Sequence, residues 1–379
     1  MKTTLARYAT TLLFIALITL ALLKFVDLFV PSFLTQTTLF PPNQKVLYRT
    51  IDFDSVASIN QFGFRGSETS LQQGQILTVG DSFTFGWGNK DHEVWSRLLE
   101  KSLGTAGIGK RIYNLGVPGT NTEFHIKVAH AYAERLKPSV LILSVLLSDD
   151  MQQVAESRAN NRGMFSGIKK MLKAWFPGWY QLYVSRRNSA AKEPTLDATN
   201  SWANDAKKII NDNALEISDE IMRLVEAGQI NPGLFSLAAK YPDRSSSFWS
   251  QLNVEGSNAQ ETFDELSYQL SELNLLLKEH GGRLILFSMP TGYYVRSKVS
   301  QNYSKYGFQV SEENFTTFTP EFALEKMAKE TRSEFVPSLQ SFRSTGEDYF
   351  YEYDGHLNPQ GSVLVSNLLH EYLVKDRQD

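Results

Sequence analysis

The chain of 379 residues contains no cysteine. This excludes disulfide bonds, thiolate metal ligands and a lipidated cysteine anchor, although it does not identify a cellular compartment. Net charge is also small, −3 at pH 7, with a sequence pI of about 6.1. A charge so close to balance gives no indication of nucleic acid as a partner. The length is sufficient for one large or two ordinary domains with a buried core.

The apolar run that could cross a membrane lies at the amino terminus. The stretch from Tyr8 to Leu23 carries no charge, follows the basic residues Lys2 and Arg7, and continues mostly apolar to Val30. One helix over this range would be roughly 34 Å long, which is enough to span a bilayer with the amino terminus inside. Residues 1–30 are therefore predicted to be a membrane anchor. The alternative is a cleaved signal peptide, although no small-x-small cleavage site follows the run; in both cases the body is exported.

After a proline-containing stretch predicted as an extended spacer (31–58), apolar segments alternate with helical patterns. Strands are predicted at 75–79, 111–115, 140–147, 283–287 and 334–336. Strands that alternate with helices are typical of a parallel, doubly wound sheet. The gap between the third and fourth strands is far longer than a crossover needs. Residues 151–280 are therefore predicted to be a mostly helical insertion whose last helix joins the main domain, which comprises 59–150 and 281–379.

A serine follows the first predicted strand. The strand ends in the turn Gly80-Asp81-Ser82, where a helical pattern begins. The carboxyl end of such a strand opens into a crevice, and the following helix offers unpaired N–H groups, which suit a developing oxyanion. Ser82 is therefore a candidate nucleophile, and a simple helix cap is the alternative.

Serine catalysis requires a base, and the chain has six histidines. Five lie in a polar turn or in helical patterns and their ends, whereas His356 lies in a loop before the final predicted helix, two residues after Asp354. A neighbouring carboxylate fixes the tautomer of an imidazole and stabilises its charged form, as a serine general base requires. Asp354 and His356 are therefore the candidate acid and base. The alternative is that Asp354 begins a turn and His356 caps the helix.

These motifs resemble those of the SGNH (GDSL-type) hydrolases of the membrane-anchored bacterial kind. The turn with Ser82 resembles the family's block I, which carries the nucleophile. Residues 114–119 resemble block II, whose glycine N–H serves the oxyanion hole, so the resemblance gives Gly116 this role beside the N–H of Ser82. The loop with Asp354 and His356 resembles block V, which supplies the acid and the base. The resemblance implies an α/β fold, a three-layer αβα flavodoxin-like parallel sheet of about five strands in the order 2-1-3-4-5.

Two features depart from the family pattern. Ser148 stands where block III carries an asparagine whose side-chain amide donates to the oxyanion. A serine hydroxyl is shorter, and loss of one oxyanion donor costs on the order of 3 kcal/mol of transition-state stabilisation. Ser148 is thus the weakest member of the expected oxyanion hole. The spacing Asp-x-His is also shorter than the common Asp-x-x-His, and related envelope proteins that handle O-acetyl groups share it.

The resemblance implies a serine esterase or deacylase that acts on acyl esters, O-acylated glycans of the cell envelope among them. It also implies a single-pass protein of the bacterial inner membrane with its catalytic domain on the periplasmic side and envelope biosynthesis proteins as partners. Two alternatives stay open: an O-acetyltransferase that modifies an envelope polysaccharide, and a catalytically weak subunit that binds a glycan or serves its assembly. No cofactor or metal ion is expected.

Overall fold

The computed structural model describes residues 14–15, 18–27, 39–160, 175–176, 198–244 and 246–375. The chain forms two compact units: one comprises Leu39–Ser157 and Leu196–Asp379, and the other comprises Met1–Thr38 and Arg158–Thr195. In the latter unit, residues 18–27 are helical. Over the described ranges, no helix combines the length and apolar character that a membrane span requires. Much of the expected anchor over 1–30 lies outside the described residues, so the anchor stays a prediction.

A hairpin precedes the main sheet. Its strands are β1 (Lys45–Arg49) and β2 (Asp54–Ser58), which pair antiparallel. The hydroxyl of Thr50 holds the connecting loop, because its Oγ1 accepts the backbone N–H groups of Asp52 and Phe53. The sequence predicts an extended spacer here, because these short, charged strands have no Asn-Gly or Asp-Gly turn between them to indicate a hairpin.

The sheet that organises the larger unit has five strands. Along the chain they are β3 (Ile76–Gly80), β4 (Ile112–Gly116), β5 (Val140–Leu146), β6 (Arg283–Met289) and β7 (Glu334–Val336). They lie side by side in the order β4-β3-β5-β6-β7, and every pairing is parallel. Counted within the sheet, this is the predicted order 2-1-3-4-5.

Helices cover both faces of this sheet. Every residue of β3, β4 and β5 is buried, which explains why these strands are nearly continuous apolar runs. One layer contains the contacting helices Thr122–Leu136, Asn258–Glu279 and Thr319–Thr331, and the other contains Trp95–Thr105 packed against Pro359–Lys375. The three-layer αβα architecture predicted for this part of the chain is therefore confirmed.

The remaining described helices connect or flank these layers. They are Ser82–Phe85, Asp150–Asn160, Ala198–Asp212, Asp219–Glu226, Pro232–Lys240, Ser246–Gln251, Lys298–Tyr303 and Leu339–Ser344, with 3₁₀ turns at Asp91–Glu93, Ser304–Tyr306 and Glu312–Phe315. Four of the helices fall in the long segment between β5 and β6, after residue 197. This part of the segment belongs to the same compact unit as the sheet.

Candidate active site

The candidate nucleophile lies at the turn that follows β3. Ser82 begins the short helix Ser82–Phe85, and Asp81 caps it, because Oδ1 of Asp81 accepts the N–H of Phe83 at 2.9 Å. In the described part of the chain, the N–H of Ser82 donates to no acceptor. This N–H is therefore available to an oxygen of a substrate.

The structure brings the predicted base and acid to this serine. Nε2 of His356 lies 2.7 Å from Oγ of Ser82, and Nδ1 of His356 makes a short hydrogen bond to Oδ1 of Asp354. The side chain of Asp354 is buried, with 3% of its surface exposed, whereas that of His356 is 15% exposed. The hydroxyl, imidazole and carboxylate thus form a continuous hydrogen-bonded chain that can move a proton away from Oγ of Ser82.

Backbone hydrogen bonds close the loop that carries Asp354 and His356. The N–H of Tyr351 donates to the carbonyl of His356 at 2.8 Å, and the N–H of Gly355 donates to the carbonyl of Tyr351 at 3.1 Å. Gly355 has a φ of +83°, and a Cβ there would lie 2.8 Å from Oη of Tyr303. The loop therefore requires glycine between the acid and the base.

Two buried carboxyl groups near the site have raised pKa values. Burial raises the pKa of Asp81 to about 6, although the nearby His356 favours its ionised form. Burial, reinforced by the charges of Asp81 and Asp149, raises the pKa of Asp150 well above its usual value. Burial therefore favours the protonated, neutral form of these two carboxyl groups.

Gly116 does not have the free N–H that the sequence analysis expected. Its N–H donates to Oδ1 of Asn114 at 2.9 Å. Glycine is required here for packing, because a Cβ would lie 2.2 Å from the backbone nitrogen of Phe85, in the helix that begins at Ser82. The structure thus places Gly116 directly beneath the nucleophile helix, with its donor already used within the protein.

The hydroxyl of Ser148 is also engaged. It donates to Oδ1 of Asp149 at 2.6 Å and accepts from Nη2 of Arg244 at 2.7 Å. Since a hydroxyl has one hydrogen, Ser148 has none to offer an oxyanion in this arrangement. Arg244 also forms a buried ion pair with Asp149 at 2.7 Å. No sequence motif points to Arg244, which lies 96 positions from Ser148.

A residue of the hairpin contacts the acid and base loop. Oδ2 of Asp52 accepts the backbone N–H of Tyr353 at 2.8 Å and that of Asp354 at 2.7 Å. Sequence reasoning missed Asp52, because the hairpin itself was not predicted.

Aromatic rings line one side of His356. The ring centroid of Trp87 lies 5.8 Å from that of the imidazole. Trp202, from the helix Ala198–Asp212, packs nearly parallel to Trp87, and Tyr48 of β1 lies on Trp87 with ring centroids 4.3 Å apart. The segment between β5 and β6 therefore contributes Trp202 to the aromatic cluster around Trp87, which in turn lies beside His356.

Among the described residues, no three His, Cys, Asp or Glu side chains are arranged to hold a metal ion. His125 is buried, with Nε2 2.9 Å from Oγ1 of Thr120. Burial lowers the pKa of His125 to about 3, so its imidazole is neutral at physiological pH.

A search of solved structures finds several ester hydrolases with low similarity to this chain. No protein-family model and no curated protein matches the sequence. A protein from Desulfitobacterium hafniense assigned to the G-D-S-L family is 12% identical over 78% of this chain and 98% of its own, with a TM-score of 0.35. The esterase EstA from a Pseudoalteromonas species is 10% identical over 81% of this chain and 100% of its own, with a TM-score of 0.38.

An acetylxylan esterase from Geobacillus stearothermophilus, in a catalytic mutant form, is 11% identical over 80% of this chain and 95% of its own, with a TM-score of 0.37. At such low TM-scores these similarities carry no argument, so the functional assignment depends on the sheet order and on the geometry of Ser82, His356 and Asp354.

Proposed function

We propose that this protein is a serine esterase or deacylase. The observation that carries the proposal is the 2.7 Å contact between Oγ of Ser82 and Nε2 of His356, with Asp354 hydrogen-bonded behind the imidazole. This arrangement matches the roles of nucleophile, general base and orienting acid in acyl transfer.

In the proposed mechanism, Oγ of Ser82 attacks the ester carbonyl while His356 takes the hydroxyl proton on Nε2. The N–H of Ser82 donates to the oxyanion that forms. His356 then returns the proton to the departing alcohol, which leaves an acyl group on Ser82. A water molecule gives a proton to Nε2 of His356 and attacks this acyl group. The bond between the acyl carbon and Oγ of Ser82 then breaks, His356 returns the proton to Oγ, and a carboxylic acid is released. Asp354 orients the imidazole and stabilises its charged form in both half-reactions.

For the substrate, we infer an O-acylated glycan of the cell envelope. Trp87 beside His356, and Trp202 stacked on Trp87, support this inference, because indole faces pack well against the C–H groups of a sugar ring. The proposed location is the periplasmic face of a bacterial inner membrane, with residues 1–30 as anchor and envelope biosynthesis proteins as partners. The basic, then apolar, amino terminus supports this location.

Hydrolysis of small acetyl esters by the full chain tests the reaction. Ser82→Ala is expected to lower kcat by about three orders of magnitude or more. The matched control is Ser344→Ala, which removes an exposed hydroxyl that donates only to a carbonyl of its own helical turn. Equal rates for the wild type and Ser82→Ala would remove Ser82 from the mechanism.

An O-acetyltransferase is the second candidate. The observation that favours it is that Trp202 of the long segment stacks on Trp87, a neighbour of the base. We infer that this segment limits the access of water to an acyl-enzyme. Mass spectrometry of a glycan incubated with an acyl donor separates the two reactions: a glycan that gains an acetyl group indicates transfer, and free acetate alone indicates hydrolysis.

The occupied donors of Gly116 and Ser148 support the third candidate, a catalytically weak glycan-binding or assembly subunit. A fluorophosphonate probe separates this candidate from both enzymes. Failure of the probe to label Ser82 in folded protein that retains glycan binding would favour the weak subunit.

A further inference from the structure

Asp52 lies far from the triad in sequence but bonds directly to its loop. A single oxygen, Oδ2, accepts the N–H groups of Tyr353 and Asp354, at 2.8 and 2.7 Å. Asp354 follows Asp52 by 302 positions. The carboxylate of Asp52 thus fixes the backbone at the residue whose side chain orients His356.

Neighbouring contacts hold Asp52 in this position. The hydroxyl of Thr50 accepts the N–H of Asp52 itself at 3.1 Å. The next residue, Phe53, packs on the ring of Tyr351 with centroids 4.8 Å apart, and Oη of Tyr351 donates to the carbonyl of Gly88 at 3.1 Å. Both sides of the contact are therefore fixed, and the hairpin loop is part of the support of the acid and base loop.

The side chain of Asp354 has little support of its own. Its Oδ1 bonds to His356, through Nδ1 and through the backbone N–H at 3.4 Å. Its Oδ2 is buried, and within the described residues it has no hydrogen-bond partner. In many triads a second donor would hold this oxygen; here the backbone must set the direction of the carboxylate.

We propose that Asp52 is a positioning residue for the triad: its carboxylate oxygen holds the backbone of Tyr353 and Asp354, so that Oδ1 of Asp354 faces Nδ1 of His356. The proposal rests on the proposed esterase function. Asp52 touches neither substrate nor reacting atoms, and it acts through Asp354.

Several charged and titratable groups face Asp52. Burial raises its pKa to about 6; the two N–H groups that it accepts oppose this shift, and the charges of Asp354 and Glu352 reinforce it. The phenols of Tyr306 and Tyr351 also lie near, and burial raises the pKa of each, so both are neutral. At neutral pH Asp52 is therefore ionised and accepts both N–H groups as an anion.

Three variants of the full chain separate the hydrogen bonds of Asp52 from its charge. Asp52→Ala removes both bonds, whereas the amide oxygen of Asp52→Asn can accept both without a charge. The control is Asp54→Asn, an exposed position on the same hairpin that pairs with Arg49. With p-nitrophenyl acetate, Asp52→Ala is expected to lower kcat about tenfold or more with KM within about twofold, while Asp52→Asn keeps kcat within about threefold.

A second readout does not depend on turnover. In a Ser82→Ala background, the downfield proton NMR signal of Nδ1–H of His356 is expected to persist with Asp52→Asn and to shift or broaden with Asp52→Ala. An unchanged kcat and an unchanged signal in Asp52→Ala would overturn the proposal, as would equal losses in Asp52→Ala and Asp52→Asn. A wild-type chain that hydrolyses no ester contradicts the proposed function instead, and the NMR comparison still decides the role of Asp52.

Discussion

The ring of Trp202 lies 6.5 Å from that of Trp87, with only 14° between their planes. Both rings are partly exposed, and Trp87 is also a neighbour of the imidazole of His356. Aromatic faces bind the apolar face of a pyranose, and such contacts to a part of the substrate remote from the reacting bond are lost when a small ester replaces a glycan ester.

Trp202→Ala is therefore expected to lower kcat/KM for an acetylated oligosaccharide about tenfold, with little change for p-nitrophenyl acetate. Trp175→Ala, which removes an exposed tryptophan in the other compact unit, is the control. Parallel kinetics on the two substrates measure the difference. Equal losses on both would show that Trp202 supports the structure of the site and does not recognise a sugar.

Gly116→Ala is expected to reduce both stability and activity. Its methyl group would lie 2.2 Å from the backbone nitrogen of Phe85, so the helix that begins at Ser82 must move. Gly104→Ala is the matched control, because a Cβ there meets nothing within 4 Å and lies inside the helix Trp95–Thr105. This control is expected to stabilise the fold by about 0.5–1 kcal/mol.

Thermal unfolding and ester hydrolysis of the two glycine variants give the test. Wild-type activity in Gly116→Ala would show that the helix at Ser82 tolerates displacement.

Arg244→Met is expected to destabilise the fold by about 3–5 kcal/mol, because it leaves Asp149 buried without its cation. The matched control is Arg296→Met, since Arg296 pairs with Glu312 on the exposed surface and its loss should leave the unfolding midpoint nearly unchanged. Denaturant unfolding measures the stability of both variants. Restored stability in the double variant Arg244→Met, Asp149→Leu would identify the unpaired carboxylate as the cause of the loss.

Asp52 should make stability depend on pH. Since its pKa is raised in the folded protein from 3.8 to about 6, the native state holds a proton that the unfolded state releases. Its contribution to stability is therefore full below about pH 4 and is lost as the pH rises through 6. The asparagine of Asp52→Asn does not titrate. The free energy of unfolding of this variant, relative to that of the wild type, should therefore rise by on the order of 2 kcal/mol between pH 4 and pH 7.

Denaturant unfolding of the wild type and of Asp52→Asn at several pH values between about 4 and 7 gives the comparison. A difference in unfolding free energy that does not change with pH would rule out the titration of Asp52 as its source.

Much of the fold could be predicted from the pattern of apolar residues in the sequence alone. The strands β3, β4 and β5 are buried on both faces, so they stand out as apolar runs, and the helices between them predict a parallel sheet. The candidate triad could also be predicted, because Ser82 follows a predicted strand and His356 has an acid two residues before it.

The residues that sequence reasoning missed act through long-range contacts that no local pattern records. Arg244 meets Ser148 across 96 positions, and Asp52 meets Asp354 across 302. The role given to Gly116 shows a related limit: the glycine was found, but the partner of its N–H is a side-chain oxygen that only the folded structure reveals.

The hydrogen bond between Ser82 and His356 joins residues 274 positions apart, close to the two ends of the main unit. A ribosome that has made the nucleophile must still make the long segment and four further strands before the base exists. During synthesis the chain therefore passes through a long period in which no ester can be cleaved, and the final helix, Pro359–Lys375, must dock before the site is complete. The site can therefore form only after the ribosome has made the chain through the helix Pro359–Lys375.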